Sequence, residues 1–200
     1  MRDRRLVFGE VADLCDRYRA GGVDAPSVRR AALADAAAIA RVHVRSWQAG
    51  YRGLLTGDEL AGDSETERDA TWRGLLSDEG GPIVWVAEHD EEVVGFCALA
   101  TPSRDPDAAG DVAEVAALYV DPGAWRTGVG RALMDSALAP LRAGPWREVT
   151  LWVMVGNERA HRFYERFGFT ADGARRSDRA GTEVRLRASL EPSRGRRRTA

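Results

Sequence analysis

The stretch from residue 113 to residue 155 constrains this chain more than any other. A short apolar run, Ala113 to Val120 (AEVAALYV), closes on Asp121-Pro122. A helical pattern follows from Gly128 to Arg142, with Met134, Leu138 and Leu141 on one stripe and Val129, Leu133 and Ala137 on the next. Val149 to Val155 is then apolar almost without interruption, as in a strand covered on both faces. Strand, helix and strand at this spacing form a right-handed parallel crossover. Pro140 withholds one helical hydrogen bond, so the last turn of the helix is expected to bend or fray.

Antiparallel hairpins flank this unit. Ile83 to Glu88 and Val93 to Ala100 pair across the polar turn His89 to Glu92, and Phe169 to Arg176 pairs with Glu183 to Leu190 around AspArgAlaGly. Upstream, Val28 to Ala31 predicts a first strand. Asp35 to Tyr51 predicts a helix bearing Ile39, Val42, His43, Ser46 and Trp47, and a second helix runs from about Glu65 to Ser77. Asn157 is a good N-cap for a helix that Gly168 closes. The class is α/β, with a mixed sheet. Residues 27–190 are expected to form one domain, 1–26 a helical appendage, and 191–200 an Arg-rich disordered tail. The apolar stripe Leu6, Val11, Leu14 and Tyr18 on the appendage predicts a packing cover or a homodimer interface.

Composition narrows the chemistry. The 200 residues carry 29 basic and 31 acidic side chains for a net charge of −2, and all the basic ones are arginine. Without lysine there is no Schiff base and no Walker-type phosphate loop. Abundant Arg, Ala and Gly without Lys point to a G+C-rich, hence bacterial, genome. Cys15 and Cys97 show neither a disulfide nor a zinc spacing, so no metal is expected. No signal-peptide apolar region and no bilayer-length apolar run are present, which predicts a cytoplasmic protein without a membrane partner. Residues 191–200 hold four Arg and one Glu, net +3, which leaves −5 for the rest. The acidic body and the lack of interleaved aromatics argue against nucleic acid.

Chemistry concentrates in ALYVDPGAWRTGVGRALM. A strand ends at Val120 and Gly128-Val129-Gly130 opens a helix. A helix start leaves backbone N–H groups without partners and favours negative charge, and glycines let a phosphate approach them. Arg126 and Arg131 flank the turn. The same residues also suit a tight strand-to-helix turn. A Rossmann site matches poorly, because Leu133 occupies its third glycine position. In NERAHRFYERFGF, Ala160, Phe163, Tyr164 and Phe167 form a helical stripe beside Asn157. Tyr164 is either a core residue or a proton donor facing the crevice at the strand ends.

The two motifs LYVDPGAWRTGVGRALM and GNERAHRFYERFGF, about thirty residues apart, resemble the GCN5-related N-acetyltransferase (GNAT) superfamily over roughly residues 27–190. The resemblance implies a central mixed sheet splayed between its fourth and fifth strands, with acetyl-CoA as co-substrate in the splay. It further implies that Leu118, Tyr119 and Val120 meet the pantetheine arm. Arg126, Thr127, Gly128, Val129, Gly130 and Arg131 would hold the pyrophosphate through backbone N–H groups. Asn157, Ala160 and Phe163 would contact the cofactor arm, and Tyr164 would protonate the departing thiolate. Trp125 departs from the pattern, standing where the family usually has Gln or Arg. The expected activity is transfer of an acetyl group to a primary amine of a small molecule or peptide in a ternary complex. A non-catalytic acyl-CoA sensor or interaction module is the alternative. Glu114, an acid in an apolar strand, is the candidate base through a burial-raised pKa, or else a strand-start carboxylate near solvent. Trp47 and Tyr51 in RSWQAGYRGLL are the candidate acceptor wall, or else pack that helix on the sheet.

Overall fold

The computed structural model describes residues 26–56, 64–178 and 181–190. The expected helix over 2–19, Cys15 and the Arg-rich tail lie outside the described residues. Seven strands form one sheet in the order β1-β2-β3-β4-β5-β7-β6: β1 is Ser27–Arg30, β2 Ile83–His89, β3 Glu92–Ala100, β4 Val112–Val120, β5 Glu148–Met154, β6 Thr170–Asp178 and β7 Gly181–Ser189. Among the described residues four α-helices flank it: α1 Ala36–Gly50, α2 Glu65–Ser77, α3 Val129–Ala143 and α4 Glu158–Glu165. Each expected strand and helix within 27–190 is present, and only the β4–β5 pair is parallel.

Strand alternation sorts the core into two layers. Val84, Val86, Phe96 and Ala98 pack under α1 and α2 with Ile39, Val42 and Trp72. Their neighbours Trp85, Ala87, Cys97 and Leu99 face the other way, onto α3 residues Leu133, Met134, Ala137 and Leu138. A capping box starts α2: the Ser64 hydroxyl accepts from the Glu67 N–H while the Glu67 carboxylate accepts from the Ser64 N–H. α3 runs through Pro140 to Ala143, one residue past the expected end at Arg142. Pro140 is exposed, so the hydrogen bond it withholds is on the solvent side.

The sheet opens where the crossover helix leaves it. β4 pairs with β5 only over Val112↔Glu148, Ala113↔Val149 and Glu114↔Thr150. Beyond that point β4 stays with β3 as far as Gly95↔Val120, and β5 stays with β7 as far as Met154↔Glu183. A bulge helps to turn β4 away, since Ala98 pairs with Ala117 but Leu99 with Val115, leaving Ala116 extra. From Val115 to Val120 the edge of β4 toward β5 has no strand partner.

Candidate functional site

The loop after β4 is braced from several sides. The Val120 carbonyl accepts from the Ser46 hydroxyl of α1 (2.7 Å) and from the Trp125 indole N–H (2.7 Å). Buried Asp121 accepts from the Gly123 N–H (2.9 Å) and pairs with Arg45 (3.2 Å). The Thr127 hydroxyl donates to the Ala124 carbonyl (2.7 Å). Left-handed Arg126 (φ +69°) and Gly128 (φ +96°) alternate with Thr127, a pattern that turns successive backbone N–H groups toward a common point. No side chain caps α3 at Gly128, so the first-turn N–H groups of Val129, Gly130 and Arg131 are available to an outside acceptor.

Across the splay, α4 begins at Asn157, whose Oδ1 accepts from the Ala160 N–H (3.2 Å) and whose side chain is hydrogen-bonded to the Tyr51 hydroxyl. Phe163 faces the α3 start, where a Cβ on Gly130 would stand 3.4 Å from its ring. Tyr164 is buried between Phe163 and Phe169, with ring centroids at 5.3 and 5.9 Å. Burial pushes its hydroxyl above the ordinary tyrosine value, so it stays protonated.

A cleft of about 880 Å³ runs through the splay. It brings together Trp47, Tyr51, Glu114, Leu118, Tyr119, Val120, Arg126, Gly128, Gly130, Arg131, Asn157, Ala160, Phe163 and Tyr164 among its lining residues. Thr127 and Val129 are not on its wall. The Thr127 side chain holds the loop, and buried Val129 packs into the core beside Gly95. Tyr119 turns its ring to the opposite face, 4.4 Å from His43 and 5.6 Å from Phe96. His43 is buried there and accepts from the Trp72 indole N–H (3.3 Å), and burial pulls its pKa down to about 3.

Glu114 does not behave as its apolar strand implies. Its pKa lies below the usual glutamate range, not above it. Burial alone would raise it, but Arg104 reaches over with its backbone N–H (3.0 Å), Nε (3.3 Å) and Nη2 (3.0 Å). Arg104 lies in the turn-rich segment 101–111, ten residues upstream, and nothing in the sequence pattern ties it to β4. The raised-pKa basis for Glu114 as a base is therefore corrected: the carboxylate is ionised at neutral pH.

Sequence reasoning also missed other wall residues. Trp125 carries the Arg159 guanidinium on its ring face, 3.4 Å from the centroid. Trp152, Arg176 and Glu183 lie on the β5–β7–β6 side, with Arg176 over Trp152 (4.4 Å) and Arg176 Nε 2.6 Å from Glu183. Only Trp125 gave a signal in advance, as a departure from the motif. Among the described residues there is no group of three or more His, Cys, Asp or Glu able to hold a metal ion. Nor is any described helix long and apolar enough to cross a membrane.

A mixed sheet opened between a parallel pair, with an uncapped helix start on one side of the opening, matches the splayed sheet that the resemblance implies. The family model described as Acetyltransferase (GNAT) family matches residues 42–169, and the chain belongs to that family. An uncharacterized N-acetyltransferase of Mycobacterium tuberculosis is 32% identical over 146 residues, covering 72% of this chain and 88% of the relative. The mycothiol acetyltransferase of Beutenbergia cavernae is 41% identical over 88 residues, which is 44% of this chain but only 28% of that protein. The chain thus spans less than a third of that relative's length. The crystal structure of PaiA N-acetyltransferase from Thermoplasma acidophilum, in complex with coenzyme A, superposes with a TM-score of 0.69 at 18% identity. It covers 83% of this chain and 99% of that one, a likeness of fold.

Proposed function

We propose that the protein transfers the acetyl group of acetyl-CoA to a primary amine of a small molecule or peptide, by direct attack within a ternary complex in the cytoplasm. One observation carries this reading: the uncapped start of α3, the unpaired edge of β4 and the buried Tyr164 hydroxyl all border one cleft. The wall fits a phosphorylated thioester. The first-turn N–H groups of α3 suit a pyrophosphate, and at Gly130 a larger side chain would press into the space before Phe163. The free β4 edge from Val115 offers main-chain hydrogen bonds to an amide-bearing arm.

Bound acetyl-CoA supplies a thioester whose C–S bond breaks as the amine forms a new N–C bond. Tyr164 then gives its phenolic proton to the departing sulfur. Its desolvated hydroxyl holds that proton at every working pH, so it acts as an acid and not as a base. The backbone N–H groups of Leu118 and Val120, on the unpaired edge of β4, are the oxyanion donors in this reading. Glu114, fixed as a carboxylate by Arg104, draws the ammonium form of an acceptor toward the splay, and the amine's proton leaves to water.

The test is thiol release from acetyl-CoA over a panel of amines, beside the shift in melting temperature on adding acetyl-CoA alone. Stabilisation together with amine-dependent release is expected. Stabilisation without release from any amine would leave a binding module, and absence of both would overturn the reading.

A further inference from the structure

Two residues that line the cleft carry donors with no acceptor among the described residues. One is Arg159, at the start of α4. Its guanidinium carbon stands over the Trp125 ring, 3.4 Å from the centroid, and it approaches α1 so closely that a Cβ on Gly50 would stand 3.5 Å from its Nη2. No carboxylate of the described residues pairs with it, whereas Arg29, Arg104, Arg176, Arg185 and Arg187 all have one. Burial lowers its pKa, as expected where a cation has lost water without gaining an anion. The other donor is the indole N–H of Trp47, which is buried without a hydrogen-bond partner. Trp47 lies one helical turn before Gly50 and stacks on Tyr51 (4.3 Å between centroids). Both donors therefore belong to the α1 side of the cleft.

The chemistry of these groups is specific. A guanidinium stacked on a ring keeps its edge N–H groups free in a planar fork, which matches the two oxygens of a carboxylate. An orphaned indole donor is costly unless something accepts from it. The phosphates of a CoA molecule have separate provision at the α3 start, flanked by exposed Arg126 and Arg131.

We infer that the acceptor is an amine that also bears a carboxylate, of the amino-acid class, and that Arg159 on its Trp125 shelf, assisted by Trp47, holds that carboxylate. This inference rests on the acetyltransferase reading and adds the substrate class to it. The carboxylate end would anchor the acceptor at α1 and α4, leaving its amine to reach the thioester near Tyr164.

The test measures initial rates with saturating acetyl-CoA over L-amino acids and β-alanine, each against its own amide. The acids should exceed the amides in kcat/KM by roughly tenfold or more, the scale of one charge-assisted hydrogen bond. Arg159→Met should raise KM for the acid by roughly 10- to 100-fold while KM for acetyl-CoA stays put. Arg159→Lys keeps the charge but loses the fork, and should recover only part of the loss. Trp47→Phe should raise KM for the acid by a smaller factor. Equal rates for acids and amides would overturn the inference, as would a rise in KM for acetyl-CoA in Arg159→Met, which would place a CoA phosphate on Arg159. Acetyl-CoA stabilisation with turnover of carboxylate-free amines alone would sink this inference and spare the acetyltransferase reading. Loss of both stabilisation and turnover in the unmodified protein would sink the two together.

Discussion

Burial acts on both Tyr164 and Glu114, yet only one of them follows it. The Tyr164 hydroxyl has aromatic neighbours and rises, whereas Arg104 outweighs desolvation at Glu114 and the carboxyl falls. Tyr164→Phe keeps the ring contacts with Phe163 and Phe169, so stability should change by no more than about 1 kcal/mol. Turnover with a cognate amine should fall about 100-fold, the scale of one acid–base group. The deficit should be largest below the ordinary thiol pKa of about 8.5, where the departing sulfur must take up a proton. Near-full turnover around neutral pH would give the proton to water. Several kcal/mol of lost stability would make Tyr164 a packing residue. For Glu114, a carboxyl held down in the fold binds its proton less readily than in the unfolded chain. The stability it contributes is whole above the ordinary glutamate value of 4.5 and is lost as pH falls below it. Urea titrations across an acid series should show a shallower acid-side loss for Glu114→Gln than for the parent. The slope should shrink and not vanish, because Asp35 and Asp172 are held low in the same way. An unchanged slope would show that the Arg104 pair carries no linkage.

The α3 start separates two effects that glycine can have. Gly128 sits at φ +96° with nothing within 4 Å of a would-be Cβ, so Gly128→Ala meets no clash but forces a left-handed alanine. That should cost about 1 kcal/mol of stability. Gly130 has an ordinary φ, and its Cβ would make only van der Waals contact with Phe163. Gly130→Asp should therefore fold, but its carboxylate would occupy the anion position and abolish acetyl-CoA binding. Calorimetry on the folded variant with undiminished affinity would place the pyrophosphate elsewhere. The elements themselves were readable because their patterns are local: period two in β2 and β3, the stripe of α3, the Asn157 cap. The splay was not readable from residues alone. It depends on where β4 stops pairing, which the Ala116 bulge and the separate β3 and β7 partnerships decide. The motif supplied it by resemblance.

The whole molecule is tied together by contacts that span the chain, and these escape sequence patterning altogether. In β7 the stretch TEVRLRAS alternates as though Arg185 faced solvent, yet Arg185 is 5% exposed. Its side chain meets Asp107 at 2.6 Å, Asp172 at 2.7 Å and Asp105 at 3.3 Å. One arginine thus fastens the β3–β4 connection to β6 and β7. Asp105 in turn accepts from the Trp152 indole N–H (2.8 Å), which places this hub directly behind a wall of the cleft. Arg185→Met removes the cation that bridges Asp105 and Asp172, so Asp172 keeps Arg187 while Asp105 is left desolvated without its charge partner. Breaking a buried pair in this way costs about 3–5 kcal/mol. The exposed i, i+4 pair Arg162–Glu158 offers the contrast, and Arg162→Ala should leave stability nearly unchanged. Urea denaturation of both variants compares them directly. Because Trp152 loses its fixed partner orientation when Asp105 relaxes, Arg185→Met should also raise the acceptor KM at a temperature where the variant remains folded. Acetyl-CoA affinity, set at the α3 start on the far side of the splay, should hold. Equal stability loss in the two variants would show that the aspartates re-solvate freely and that the hub is a surface ion pair. A loss of acetyl-CoA affinity instead would mean that the hub supports the whole splay and not the acceptor wall alone.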